Sequence, residues 1–306
     1  LSAPLRPPLL PLIYSFRPAP GPSSPLAPGN YPHLRLAFNC SSSPLRPRIL
    51  GRIIMDTIKI SVIMPVYKQE NKVVPYLKDL DKILAELNIN YEIICVVDGF
   101  LDNTFENAKK YINKRIKVLG YEKNQGKGYA VRFGMSKARG KTIGFVDGGF
   151  DLKYSCIPLA LEHMKWYNAD IMIGSKRHPA SKVEYPWQRR ILSWGYQMGV
   201  RLLFGINIRD SQVGIKFFKR EVIKKIMPKL LIKEFAFDIE ILAVANRMGF
   251  SRIYEFPIEI DMEFAGGSIA TANFFKTSWN MLWDTLAVFY RLKILRYYDK
   301  PVTKSE

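Results

Sequence analysis

Two apolar runs in this chain each end in an aspartate: Tyr91-Glu-Ile-Ile-Cys-Val-Val-Asp98 and Thr142-Ile-Gly-Phe-Val-Asp147. Runs of this length predict buried strands, and their C-terminal ends lie at the edge where open α/β sheets bind ligands. A carboxylate pair there suits a ribose or base edge on one side and a metal-bound diphosphate on the other. Between the runs, Asn124-Gln-Gly126-Lys127-Gly128 opens a helical pattern. Lys127 is a natural anion contact, because free backbone N–H groups point outward at a helix start. The two glycines are not a dinucleotide fingerprint. Position 131 is Val, and Asn124-Gln125 rather than a strand precedes them. Asp-Gly is also an ordinary turn pair. Function is argued from Asp98 and Asp147 together, with Pro65-Val66-Tyr67 closing the first strand.

The elements that must position these residues alternate regularly. Strands are expected at Ile58–Met64, Tyr91–Val97, Ile116–Leu119, Thr142–Val146 and Asp170–Ile173. The intervening helices fall at Asn71–Leu87, Asp102–Tyr111, Gly126–Ala138 and Ser155–Tyr167. This alternation predicts a mostly parallel, doubly wound α/β sheet flanked by helices. Further on come a helix over Pro186–Phe204, a strand near Gly214–Phe218, helices over Glu221–Ile226 and Phe237–Met248, and a strand over Arg252–Phe256. A long aromatic helical region, about Thr271–Tyr298, closes the pattern.

The 306 residues carry a formal charge of +19 with 48% hydrophobic content. No zinc-finger spacing, RNP pattern or long basic run accompanies the charge, so nucleic acid is set aside in favour of an anionic membrane surface and phosphorylated substrates. Cys40, Cys95 and Cys156 form no C-x-x-C pair, which fits a reducing compartment. No uncharged apolar stretch reaches the roughly 18 residues a spanning helix needs. Residues 1–54 hold 12 of the 20 prolines and six arginines but no lysine or acid. Such a segment is expected to be disordered, as upstream translated sequence before a start at Met55 or as an organellar transit peptide. A catalytic domain is expected over 55–262 and an amphipathic helical region over 263–306. In that region Trp279, Trp283 and Phe289, followed by Arg291, Lys293 and Arg296, suit an interfacial helix.

From Ile60 to about Pro257 the chain resembles glycosyltransferase family 2, most closely its polyprenyl-phosphate branch of dolichyl-phosphate mannosyl- and glucosyltransferases. Five ordered segments carry the resemblance: Val62–Glu70, Glu92–Thr104, Asn124–Gly140, Arg209–Lys216 and the Phe237-Asp238-Ile-Glu240 helix start. It implies the GT-A nucleotide-sugar transferase fold and inverting transfer of a hexose to a polyprenyl phosphate. It also implies a protein peripherally bound at the cytoplasmic membrane face. Pro65, Val66, Tyr67, Glu70, Asp98, Lys127 and Asp147 would bind the nucleotide sugar. Lys176, Arg177, Arg189 and Lys216 would meet the acceptor phosphate, and Asp210 would orient acceptor or sugar. Asp147 would hold Mg²⁺ or Mn²⁺ with help from Asp151. The chain departs from the family at Val97 and at Gly149, which removes the middle carboxylate of the metal motif D-x-D. Two alternatives therefore stand beside this reading: a same-fold transferase acting on a saccharide hydroxyl, with Asp210 as base, and a non-catalytic nucleotide-sugar-binding protein.

Overall fold

The computed structural model describes residues 58–148, 152–183, 187–260 and 274–301. Seven strands form one sheet: β1 (Ile60–Val66), β2 (Tyr91–Asp98), β3 (Ile116–Tyr121), β4 (Thr142–Val146), β5 (Ile171–Ser175), β6 (Ile215–Lys219) and β7 (Ile253–Pro257). Their spatial order is β3-β2-β1-β4-β6-β5-β7. The helices are α1 (Val73–Glu86), α2 (Thr104–Lys109), α3 (Lys127–Lys137), α4 (Ile157–Trp166), α5 (Trp187–Phe204), α6 (Arg220–Ile226), α7 (Phe237–Arg247) and α8 (Phe274–Phe289). Each expected element is present, with ends moved by a few residues. The expected extension over 1–54 lies outside the described residues.

Strand residues divide by parity, as the two-residue period of a strand requires. Val62, Met64, Ile93, Cys95 and Val97 face one core layer with Leu77, Leu80 and Ala108 of α1 and α2. Ile63, Ile94 and Val96 face the other, against Ala130 and Val131 of α3 and the apolar side of α7. Burying one such aliphatic side chain contributes about 1.5–3 kcal/mol relative to leaving it exposed, so both faces of the sheet are sealed by helices. Burial pushes the Cys95 thiol up to about 12, and it behaves as a small hydrophobe.

All pairings are parallel except those of β6, which runs antiparallel to both β4 and β5. This reversal has a functional consequence. In the parallel strands the chain leaves at the ligand-binding edge, whereas in β6 it enters there. The segment Arg209–Gly214 is thereby set beside the end of β4, where the Asp147 N–H donates to the Gly214 carbonyl at 2.7 Å.

The closing aromatic region is not one continuous helix. After α8 the chain widens into a π-helical turn over Tyr290–Ile294, turns through Arg296 at φ +47°, and continues into a short 3₁₀ turn over Tyr297–Asp299. Val288, Leu292 and Tyr298 are buried in the main core, and the Tyr298 hydroxyl donates to Glu240 at 2.7 Å. These three residues tie part of the helical region expected over 263–306 into the main core.

Candidate active site

The N-terminal end of α3 has no side-chain cap of its own. Asp98, at the end of β2, takes that role from a distance. Its Oδ1 accepts the Gln125 N–H at 2.7 Å, and its Oδ2 accepts the Gly126 N–H at 3.0 Å and the Asn124 amide at 2.9 Å. Gly126 sits at φ +93°, a conformation that a side chain strains. The carboxylate expected to read base or ribose is thus engaged in fixing the loop that aims Lys127.

Lys127 reaches from that loop to two carboxylates, Asp147 Oδ2 at 2.9 Å and Asp238 Oδ2 at 3.0 Å. Asp238, at the start of α7, is paired on its other oxygen with Lys216, which also donates to the Val213 carbonyl at 2.7 Å. The result is an alternating chain of charges, Asp147–Lys127–Asp238–Lys216, running inward from the sheet edge. Burial opposes the charge on Lys127, but its two carboxylates prevail and hold the ammonium above the ordinary lysine range. For Lys216 burial prevails and lowers its pKa. Asp238 also resists burial, and its two lysines keep it below the usual carboxylate range.

Lys216 was expected to contact the acceptor phosphate, and the structure corrects this. Its side chain is completely buried on β6 and ion-paired to Asp238, so it supports the site from below. Lys176 and Arg177 do stand at the expected edge, just past the end of β5. The Lys176 N–H donates to Asp210 Oδ2 at 3.2 Å, and Arg177 donates to the Arg209 carbonyl at 3.3 Å. Arg189 falls in α5 with its side chain outside the described part, and Asp151 lies outside the described residues.

Asp210 is buried in the loop leading into β6. Its Oδ1 accepts the Gln212 N–H at 3.2 Å, and its own N–H donates to Glu255 Oε1 at 2.9 Å. Burial raises its pKa against the pull of Lys176. Burial also raises that of Glu255, with Asp210 adding to the effect. Sequence reasoning passed over Glu255. It sits in β7, and the Ile173–Glu255 register of β5 with β7 brings it to the same edge. Asp238 was visible as part of a motif, but nothing local marked it as the partner of a lysine 111 residues away.

The remaining expected contacts gather at the β1 end of the edge. Pro65 and Val66 close β1 against Gly148, and Tyr67 is 41% exposed beside Lys68. Glu70 accepts the Asn103 N–H at 3.2 Å, and the Gln69 N–H donates to Thr104 at 2.7 Å, so the loops after β1 and β2 are laced together. No group of three or more acidic, histidine or cysteine side chains capable of holding a metal occurs among the described residues. Asp147 keeps one carboxylate oxygen, the buried Oδ1, without a hydrogen-bond partner, and burial raises its pKa despite Lys127. Space for that side chain depends on Gly214: a Cβ there would lie 2.0 Å from Asp147 Oδ2.

A parallel sheet with one reversed strand, carrying acidic strand ends and a lysine-bearing helix start at one edge, is the GT-A architecture of nucleotide-sugar transferases. Solved structures share it: glucosyl-3-phosphoglycerate synthase from Mycobacterium tuberculosis, determined with Mn²⁺ and uridine diphosphate, superposes with a TM-score of 0.56 at 15% identity, covering 80% of each chain. Mannosyl-3-phosphoglycerate synthase from Rubrobacter xylanophilus gives 0.57 at 13% identity, covering 85% of this chain and 80% of that one. Residues 61–227 match glycosyl transferase family 2, and the chain belongs to that family. Similar curated proteins are the dolichyl-phosphate beta-glucosyltransferases of Dictyostelium discoideum and Drosophila melanogaster, 33% and 34% identical over 63% of this chain. The chain spans 64% of the length of each. One from Trichomonas vaginalis is 30% identical, with 79% of this chain and 77% of that protein covered.

Proposed function

We propose that this protein transfers a hexose from a nucleotide sugar to a dolichyl-type polyprenyl phosphate at a membrane surface, with inversion at the anomeric carbon. The observation that carries the reading is the meeting of Asp147, Lys127 and Asp210 at one sheet edge. A carboxylate with an unpartnered oxygen and a fixed cation stand where a donor diphosphate would lie, and a buried aspartate lies in the loop entering β6 at the same edge. The names of the relatives supply the acceptor class.

In this reading the base and ribose lie over the Pro65–Tyr67 backbone with Glu70, at the loop that Asp98 holds in place. Asp147 would hold Mg²⁺ or Mn²⁺; one protein carboxylate suffices when diphosphate and water complete the shell. Such an ion supplies Lewis-acid stabilisation of the departing nucleoside diphosphate. Lys127 adds a positive charge at the same place without needing to move. Lys176 and Arg177 attract the acceptor phosphate, Arg offering a bidentate fork. That phosphate is already ionised, so Asp210 orients acceptor or sugar and removes no proton.

Two helices furnish the membrane contact. Trp194, Met198 and Leu202 recur at four-residue spacing on α5, and Leu202 is 86% exposed. Trp279, Leu282 and Leu286 are exposed along α8, and Tyr290 is exposed just past its end. The helices are neighbours, joined by a Tyr196–Thr285 hydrogen bond of 3.0 Å and by a Phe204–Phe289 contact. Among the described residues no helix is long and apolar enough to cross a membrane. The face suits an interfacial contact, with nearby Lys and Arg each contributing roughly 1 kcal/mol toward anionic lipid.

The test is incubation of the purified protein with uridine- and guanosine-diphosphate hexoses and dolichyl phosphate in anionic vesicles, with and without EDTA. Metal-dependent formation of a lipid-linked hexose of inverted anomeric configuration is expected. Transfer to a soluble saccharide alone would favour the hydroxyl-acceptor reading. Binding without turnover would favour the non-catalytic one.

A further inference from the structure

A cleft of about 390 Å³ opens between the segment that leads into α7 and the middle of α8. Its walls include Glu234, Phe235, Asn280, Trp283 and Asp284. It is tied to the active-site loop. The Tyr129 N–H donates to the Lys233 carbonyl at 3.2 Å, and Lys233 Nζ donates to Gln125 at 3.2 Å. Glu234 packs so closely on Gly126 that a Cβ there would meet Glu234 Oε1 at 2.6 Å. Lys127, the next residue, carries the ammonium bound to Asp147. The cleft therefore begins one residue from the proposed diphosphate site.

Its chemistry is specific. Two carboxylates face the space; burial raises both pKa values, and for Glu234 the charges of Asp98 and Asp284 push further in the same direction. Such a pair repels a diphosphate or an acceptor phosphate. A metal ion is a poor occupant too, since these two acids are joined by no third acidic, histidine or cysteine ligand among the described residues. Hydroxyl groups suit the walls well. Ionised carboxylates only accept hydrogen bonds, and the Asn280 amide both donates and accepts. The Trp283 indole, 57% exposed, supplies a flat apolar surface for the carbon face of a ring. The volume falls within the roughly 300–1,000 Å³ of small-molecule sites.

We propose that this cleft receives the hexose ring of the donor, with Glu234 and Asp284 accepting hydrogen bonds from its hydroxyls and Trp283 lying against its carbon face. The assignment rests on the nucleotide-sugar reading above and deepens it. It makes α8 part of donor selection as well as of the membrane face. It also places sugar specificity on residues outside the five motif segments.

The experiment compares a nucleotide sugar with its bare nucleotide. Calorimetric titrations in Mg²⁺ buffer without lipid would use uridine-diphosphate glucose and uridine diphosphate, then the guanosine-diphosphate mannose pair. The proteins are the full chain and its Glu234→Gln, Asp284→Asn and Trp283→Ala variants, with melting curves recorded for each. Losing hydrogen bonds to a charged acceptor weakens affinity about ten- to hundredfold. That loss is expected for the preferred nucleotide sugar, with affinity for the matching bare nucleotide unchanged. Equal affinity of wild type and variants for the nucleotide sugar would overturn the assignment. So would parallel losses for sugar-bearing and bare nucleotides in variants that melt normally. A wild-type protein that binds no donor would remove the nucleotide-sugar reading itself, a result distinct from both.

Discussion

Asp238 is the position where a single substitution tests the site's internal logic. Its two oxygens neutralise Lys127 and Lys216, and Lys216 has no exposed surface. Asp238→Ala leaves Lys216 as a buried ammonium without a carboxylate, held by the Val213 carbonyl and the face of the Phe145 ring. Breaking a buried pair from one side costs about 3–5 kcal/mol, since the remaining charge stays desolvated. For a domain of 150–250 residues each kcal/mol shifts Tm by roughly 2–4 °C, so a drop of about 6–20 °C is expected. The companion variant Asp238→Leu/Lys216→Met removes both charges and is expected to recover most of that loss, because an apolar pair of similar volume replaces the buried ions. It would not recover donor binding, since Lys127 is then held by Asp147 alone. Urea denaturation gives the stabilities and titration with a nucleotide sugar gives the binding. A single variant within 1 kcal/mol of wild type, or a double variant no better than the single, would refute the claim that the charge chain is a closed electrostatic unit.

Gly214→Ala places a methyl group 2.0 Å from Asp147 Oδ2 and forces that side chain to move, so it should abolish metal-dependent turnover while the melting temperature changes by only a few degrees; normal turnover would show that Asp147 need not hold this rotamer. Asp210→Asn should lower kcat about a hundredfold or more with stability unchanged or raised, because burial already disfavours the ionised carboxylate; unchanged kcat would remove Asp210 from the site. Asp170 resists its burial through Arg252 and Lys219, which leave its pKa lowered from 3.8, so its stabilising effect is present above that pH and lost as pH falls through the folded value. The stability gap between wild type and Asp170→Asn should be about 1–3 kcal/mol at neutral pH and close in acid, as followed by urea denaturation across pH; a pH-independent gap would contradict the pairing. Trp279→Ser with Leu202→Ser should reduce co-sedimentation with anionic liposomes without lowering Tm by more than a few degrees; equal pelleting would move the membrane contact elsewhere.

The strands and their order along the chain were legible because each is an apolar run ending in turn chemistry. Asp98 and Asp147 were legible because they terminate such runs, Lys127 because it stands between two glycines at a helix start, and Asp210 only through the resemblance carried by Arg209–Lys216. Pairing across the fold was not. Lys216 read as a phosphate contact because it closes the motif segment Arg209–Lys216, and nothing in a single sequence says which face of β6 it takes. Strand parity decides that: Ile215 and Phe217 occupy one layer, so Lys216 must point into the other, where Asp238 waits. The same limit hid Glu255 and the cleft residues, which meet the site only through the register of β5 with β7 and the docking of α8. The aromatic period of the last helical region suited both a core stripe and an interfacial helix. Period alone could not tell that Val288, Leu292 and Tyr298 anchor it in the core while Trp279 and Trp283 remain outside. That division makes deletion of the region a poor probe of membrane binding. Its loss would open the core and unfold the site together with the contact, so only point changes on its outer face can separate the two.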